Sequence, residues 1–178
     1  MTGTPGTGKS TVSSLLAEHL SIPLIDLNQL IEQDHLYTGY HQKLGFKIVD
    51  LDAMCSKLNE LTNDYKNKKD WVIVEGHLSY YFEEADLVIV LRAHPTILRK
   101  RLQDKGFNDA KIQENIEAEA LDVCAFEAYQ IHNDKVNEID TSNKNPMEVL
   151  ELIIKVIKGE EHFPVGKVDF IDYLDILK

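Results

Sequence analysis

Continuous apolar runs alternate along this chain with stretches whose apolar residues recur every three or four positions. "WVIVEG" (71–76) and "LVIVLRA" (87–93) are unbroken apolar runs, the pattern of parallel strands covered on both faces. "IPLIDL" (22–27) reads as a further short strand, and "VNEID" (136–140) as a weaker one near a sheet edge. Helical spacing fills the intervals: "STVSSLLAEHL", "DLDAMCSKLNELTNDYKN", "PTILRKRLQDK", whose proline suits a first turn, and "NPMEVLELIIKVIKG", which Gly159 can stop. The stretch "NDAKIQENIEAEALDVCAFEAYQIHN" reads as one long helix with Ile112, Ile116, Leu121, Cys124, Ala128 and Ile131 close to one face. Strands alternating with helices predict an α/β fold, a parallel sheet joined by right-handed crossovers. Residues 159–178 form an appendix in which Phe170, Ile171, Leu174 and Ile176 could make a short docking helix.

The strongest chemical signal lies at the start. "GTPGTGKS" fits G-x-x-x-x-G-K-[ST] at Gly3, Gly8, Lys9 and Ser10. Glycines Gly3, Gly6 and Gly8 let the backbone bend so that several N–H groups aim at phosphate oxygens, and the following helix adds its positive end. Lys9 supplies a point charge between the β- and γ-phosphates of ATP, the Ser10 hydroxyl can ligate Mg2+, and Thr11 can reach the α-phosphate. Such a loop needs a strand feeding it, usually in the middle of the sheet. Only Met1 and Thr2 precede it. Four buried apolar side chains contribute roughly 6–12 kcal/mol, so the expectation is that apolar residues upstream complete this strand.

Length and composition agree with one domain of about 178 residues that can bury a full core. No apolar run reaches the length of a membrane span and no secretory segment is evident, which points to a cytoplasmic protein. Cys55 and Cys124 are far apart and read as free thiols. The net charge of -11 disfavours duplex nucleic acid as a ligand; it could attract a basic protein partner, though a solvated acidic face is the plainer reading.

Beyond the loop, "LYTGYHQKLGFKIVDLD", "VIVEGH", "VIVLRAHP", "RLQDKGFNDAKIQENI" and "SNKNP" occur in order. With these segments the chain resembles the adenylate kinase isoenzyme-six family, also called the coilin-interacting nuclear ATPase family, and is similar to its archaeal members from residue 2 to about residue 158. The "VEGH" and "KGFNDAKIQENI" segments are the more specific part. The resemblance implies a P-loop nucleoside monophosphate kinase domain over residues 1–158, with a five-stranded parallel core, an AMP-binding insertion at about 26–52 and a small lid at about 104–115. It implies the reaction ATP + AMP to two ADP, with a weak ATPase beside it, and a part in small ribosomal subunit maturation through a basic ribosomal protein. The fold commonly works as a monomer.

Glu75 and His77 end a strand, where open α/β sheets bind their ligands. Glu75 is placed to hold a magnesium water opposite Ser10; the family shows an acid, one spacer and a histidine here, usually with aspartate in its nuclear members. His77 would position a water or touch the transferred phosphate. The chain has three arginines, Arg92, Arg99 and Arg101, all within one short stretch; with Lys105 they are candidates for clamping phosphates. Lys105 stands where the family commonly has an ATP-contacting arginine, and lysine lacks its fork. The insertion holds no arginine, so either Lys43 or Lys47 substitutes at the AMP phosphate or AMP binds weakly. Tyr37 and Tyr40 could stack a base or pack in the core. Asp50 and Asp52 read as helix caps. Ser142, Asn143 and Lys144 lie in the loop that the family uses to meet adenine. Two rival functions stay open: a hydroxyl kinase with Asp26 as its base, against which stands a role for Asp26 as a helix cap, and an ATP-driven assembly factor.

Overall fold

The computed structural model describes residues 1–41, 46–68 and 70–176. Helix α1 (Lys9–Leu20) leaves the glycine loop and leads to strand β1 (Leu24–Asp26) and helix α2 (Leu27–Gln33). An antiparallel hairpin follows, β2 (Tyr37–His41) and β3 (Phe46–Val49), and then helix α3 (Leu51–Lys68). Strand β4 (Ile73–Glu75), strand β5 (Val88–Arg92), helices α4 (Pro95–Asp104), α5 (Asp109–Ala120) and α6 (Val123–His132), strand β6 (Val136–Asp140) and helix α7 (Pro146–Ile157) complete the body. A four-residue helix α8 (Tyr173–Ile176) comes last.

The sheet is assembled around its first two residues. β1 pairs in parallel with β4, and β5 with β6. Met1 and Thr2 sit between the two pairs. The Met1 ammonium donates to the Val74 carbonyl at 2.6 Å and the Gly76 N–H to the Met1 carbonyl at 3.2 Å. On the other side the Thr2 N–H donates to Ile89 at 2.8 Å and the Leu91 N–H to Thr2 at 2.9 Å. The order is therefore β1, β4, Met1–Thr2, β5, β6, with the loop springing from the centre as expected.

Alternation along β5 builds three layers. Ile89 and Leu91 pack with Val12 and Leu16 of α1 and with Val149, Leu150 and Ile153 of α7. Val88 and Val90 face the other way, against Ala125 and Ala128 of α6. On that second face Leu27, Ile31, Met54 and Leu58 form a cluster under α2 and α3. Two carboxylates serve as caps: Asp26 Oδ1 accepts from the Gln29 N–H and Asp50 Oδ1 from the Ala53 N–H, each at 3.0 Å. Asp52 lies inside the first turn of α3.

Two expectations change. The long helix over 108–133 is broken, because Asp122 takes a left-handed conformation (φ 56°) and ends one helix while opening the next. Leu121, at that corner, is 54% exposed instead of facing the core. Among its described residues the appendix is mostly turns and irregular chain, and of the residues expected in a docking helix Leu174 and Ile176 fall in α8 while Phe170 and Ile171 precede it; Phe163 pairs its carbonyl with the Glu138 N–H at 2.8 Å along the outer side of β6.

Candidate active site

The glycine loop closes on the Thr4 carbonyl. That oxygen accepts from the Thr7 N–H at 3.3 Å, the Thr7 hydroxyl at 2.9 Å and the Lys9 ammonium at 3.1 Å. Lys9 is buried, and burial pushes its pKa down, opposed by the Glu75 carboxylate. An ammonium kept this far from water gains most from an anion that enters the loop. Gly8, left-handed at φ 102°, turns the chain into α1, so the free amides of that helix open on the loop.

Gly3 sets how closely the loop can approach the sheet. Its φ is 132°, and a Cβ built there would lie 2.2 Å from the Leu91 carbonyl oxygen. That neighbour is backbone of β5, paired on both sides, and cannot move aside. Gly3→Ala is expected to destabilise the fold by about 3 kcal/mol, read as a lower urea midpoint at unchanged slope.

At the end of β4 the buried Glu75 accepts from the Ser10 hydroxyl at 3.2 Å. A hydroxyl and a carboxylate side by side are oxygen donors of the kind Mg2+ takes, with phosphate and water completing its octahedron. Among the described residues no three His, Cys, Asp or Glu side chains converge into an all-protein metal cage. The donor set thus fits a magnesium ion that arrives with nucleotide.

His77, two residues on, has its pKa pushed down to about 4 by burial and by the charges of Lys9 and Lys111. It is a neutral imidazole near pH 7, able to accept or donate one hydrogen bond but not to act as a cation. Arg101 reaches from α4 to two loops: its guanidinium donates to the Gly6 carbonyl at 3.4 Å, to the Thr141 hydroxyl at 3.2 Å and to the Thr141 carbonyl at 3.2 Å. It joins the glycine loop to the loop after β6. Lys105, at the C-cap of α4, is exposed and close enough to depress Lys9. Thr11 is exposed on the first turn of α1.

Arg92 is a correction. It was expected among the phosphate-clamping cations, and the structure instead buries it completely. Its Nε donates to Glu119 Oε1 at 2.8 Å, its Nη1 to Glu138, and its Nη2 to Asp122 and, at 2.8 Å, to the Glu119 carbonyl. With four of its five N–H donors committed and the side chain buried, it is turned inward, away from the open loop. Arg99 also points elsewhere, to Gln113 Oε1 at 3.0 Å. In the loop after β6, Ser142 accepts from the His94 N–H at 2.7 Å, while Asn143 and Lys144 are exposed. In the insertion Lys47 is paired with Glu32 and lies 4.3 Å over the Tyr37 ring. Tyr40 is exposed. Lys43 lies outside the described residues.

The residues that sequence reasoning passed over are Thr4, Thr7, Thr141 and Glu119. Thr4 and Thr7 occupy positions where the loop pattern accepts any residue, and Thr141 merely follows a strand. Nothing local marks Glu119, which meets the loop only through the fold.

Comparison with known proteins decides the lineage. A protein of Methanothermobacter thermautotrophicus named "Putative adenylate kinase" is 41% identical over 174 residues, covering 98% of this chain and 97% of its own length. One of the same name from Methanocaldococcus jannaschii is 35% identical, covering 99% and 95%. The chain belongs to their family. Residues 1–122 also match a family described as "AAA domain". The members are P-loop proteins of the nucleoside monophosphate kinase type, and solved structures carry the same fold. A shikimate kinase from Acinetobacter baumannii superposes with a TM-score of 0.61 at 16% identity, covering 90% of this chain and 92% of its own. A thymidylate kinase from Candida albicans does so with 0.55 at 14% identity, covering 89% of each. Among the described residues of this family member no helix is long and apolar enough to cross a membrane.

Proposed function

We propose that this protein transfers the γ-phosphoryl group of ATP to AMP, giving two ADP. The reading is supported by the grouping of Lys9, Ser10, Glu75 and Arg101 around the glycine loop. Asp26, the base weighed for a hydroxyl kinase, caps α2 through its Oδ1. A phosphate acceptor is already an anion and needs no proton removed, whereas a hydroxyl acceptor benefits from a base. The names of the archaeal relatives support the same acceptor.

In this reading the loop amides and Lys9 cradle the β- and γ-phosphates. Ser10 and Glu75 hold magnesium, directly and through water. Arg101 with Lys105 neutralises charge on the transferred group, and Thr11 meets the α-phosphate. His77 orients the acceptor or a water as a neutral hydrogen-bonding group. Residues near 142–144 border adenine. Bound magnesium supplies charge neutralisation on the phosphate oxygens. The domain spans 1–158, with the AMP insertion at 26–52 around Tyr37, Tyr40 and Lys47 and a lid at 104–115. It would work as a cytoplasmic monomer. Purified protein given ATP and Mg2+ is expected to form two ADP per AMP consumed, and to slow sharply when AMP is replaced by shikimate or another hydroxyl acceptor.

A second reading rests on the "VEGH" and "KGFNDAKIQENI" motifs and the charge of -11. These support membership of the isoenzyme-six type, with an ATPase at the same site and a basic small-subunit ribosomal protein as partner. If AMP leaves ATP turnover unchanged, and a basic ribosomal protein is retained differently with and without ATP, this second reading replaces the first.

A further inference from the structure

Burying a charge network beside a phosphate loop is costly, and this one reaches the loop itself. Glu119 is almost fully buried on α5. Its Oε1 accepts from Arg92 Nε at 2.8 Å and from the Ala93 N–H at 2.9 Å. Its Oε2 accepts from the hydroxyl of Thr4. Thr4 in turn offers the carbonyl on which Thr7 and Lys9 converge. Behind Arg92, Glu138 takes a second guanidinium nitrogen on one oxygen and, on the other, the N–H groups of Gly166 at 2.9 Å and Val168 at 3.4 Å. Hydrogen bonds thus lead from the C-terminal segment through Glu138, Arg92 and Glu119 to the Thr4 side chain, whose own backbone carbonyl holds the loop lysine.

We propose that Glu119, held by Arg92, is a positioning residue that fixes Thr4 in the phosphate loop and so sets the seat of Lys9 for nucleotide. The proposal rests on the phosphate-loop reading given above and deepens it. Buried ion pairs replaced by apolar residues often leave stability unharmed, so a network of three carboxylates around one guanidinium is poorly explained by stability alone. Orientation is a better account. A carboxylate held on one oxygen by two donors at the end of β5 and on the other by the Thr4 hydroxyl is fixed in orientation, and it fixes the Thr4 side chain in turn. With the hydroxyl pinned, the Thr4 peptide cannot rotate, and its carbonyl stays aimed at Lys9. Loop amides placed in advance bind phosphate without reorganising, which is where such sites gain their affinity.

The full-length protein tests this with Thr4→Val, Thr4→Ser, Glu119→Gln and the double variant Thr4→Val/Glu119→Gln. A fluorescent ATP analogue reports nucleotide affinity in the absence of AMP, and thermal melting reports folding. Thr4→Val, which keeps the shape and removes the hydroxyl, is expected to weaken binding about tenfold, and Thr4→Ser to restore it to within about twofold. Glu119→Gln is expected to weaken binding similarly, and the double variant no more than either single one, since both cut the same link. A merely structural Glu119 would lower the melting midpoint and leave the affinity of the folded protein unchanged. Wild-type binding left unaltered by Thr4→Val, or losses that multiply in the double variant, overturn the proposal. Should Glu119→Gln fail to fold, the valine and serine pair decides alone. Wild-type protein that does not bind the ATP analogue at all overturns the phosphate-loop reading first, which separates the two failures.

Discussion

Lys9→Ala is expected to lower ATP-dependent ADP formation by about 10³-fold. The lysine ammonium lies inside the glycine loop, donating to the Thr4 carbonyl at 3.1 Å. Its burial means that its charge acts through little water, so its loss is felt at close to full strength. Stability should behave differently. Removing a buried ammonium whose pKa is already pushed down relieves a desolvation cost, and the Thr4 carbonyl keeps both donors from Thr7. The alanine protein should therefore melt within a few degrees of wild type while its turnover collapses. A coupled assay beside a melting curve checks both halves. Turnover within tenfold of wild type would exclude Lys9 from phosphoryl transfer.

Arg92→Ala should do the reverse and act on the fold. It strips Glu119, Glu138 and Asp122 of their shared guanidinium, and the first two are almost fully buried. Breaking a buried ion pair by removing one partner costs about 3–5 kcal/mol, a large part of the ~5–15 kcal/mol that holds a domain together. Burial alone would lower the arginine pKa, but the surrounding carboxylates outweigh it and raise it, so the site depends on that positive charge. Arg92→Lys keeps the charge and loses the planar fork, and should fall between wild type and alanine. Urea unfolding at neutral pH ranks the three. An alanine variant as stable as wild type would mean that water or rearranged side chains reach the carboxylates.

The contrast between these two cations shows what the sequence could carry. The place of Lys9 in the glycine loop was legible because it is marked by neighbours at fixed spacing, Gly3, Gly8 and Ser10. The strands over 71–76 and 87–93 were legible for a similar reason, since continuous apolar runs need only local reading. Asp26 and Asp50 announced themselves as caps by standing just before helical periodicity. Arg92 could not be read this way. Its nearness to Arg99 and Arg101 in sequence suggested a shared site, but the end of β5 turns its side chain into the protein and α4 carries Arg101 back to the loop. The acids that capture Arg92 lie 27, 30 and 46 positions away. The break at Asp122 has the same origin: the apolar spacing continues smoothly through it, and only the meeting of Asp122 with Arg92 across the fold accompanies the turn.

The placement of Met1 and Thr2 also bears on how fast this molecule can be made. Their partners are Val74, Gly76, Ile89 and Leu91, far along the chain. The middle of the sheet cannot zip shut from neighbouring pieces, because a long segment must first be brought round to meet the start. Closing such a distance spends chain entropy before any pairing rewards it. Refolding should accordingly be slow beside that of helical proteins of equal length, and the two halves of the sheet should gain protection from hydrogen exchange together, when the opening residues finally lock between them.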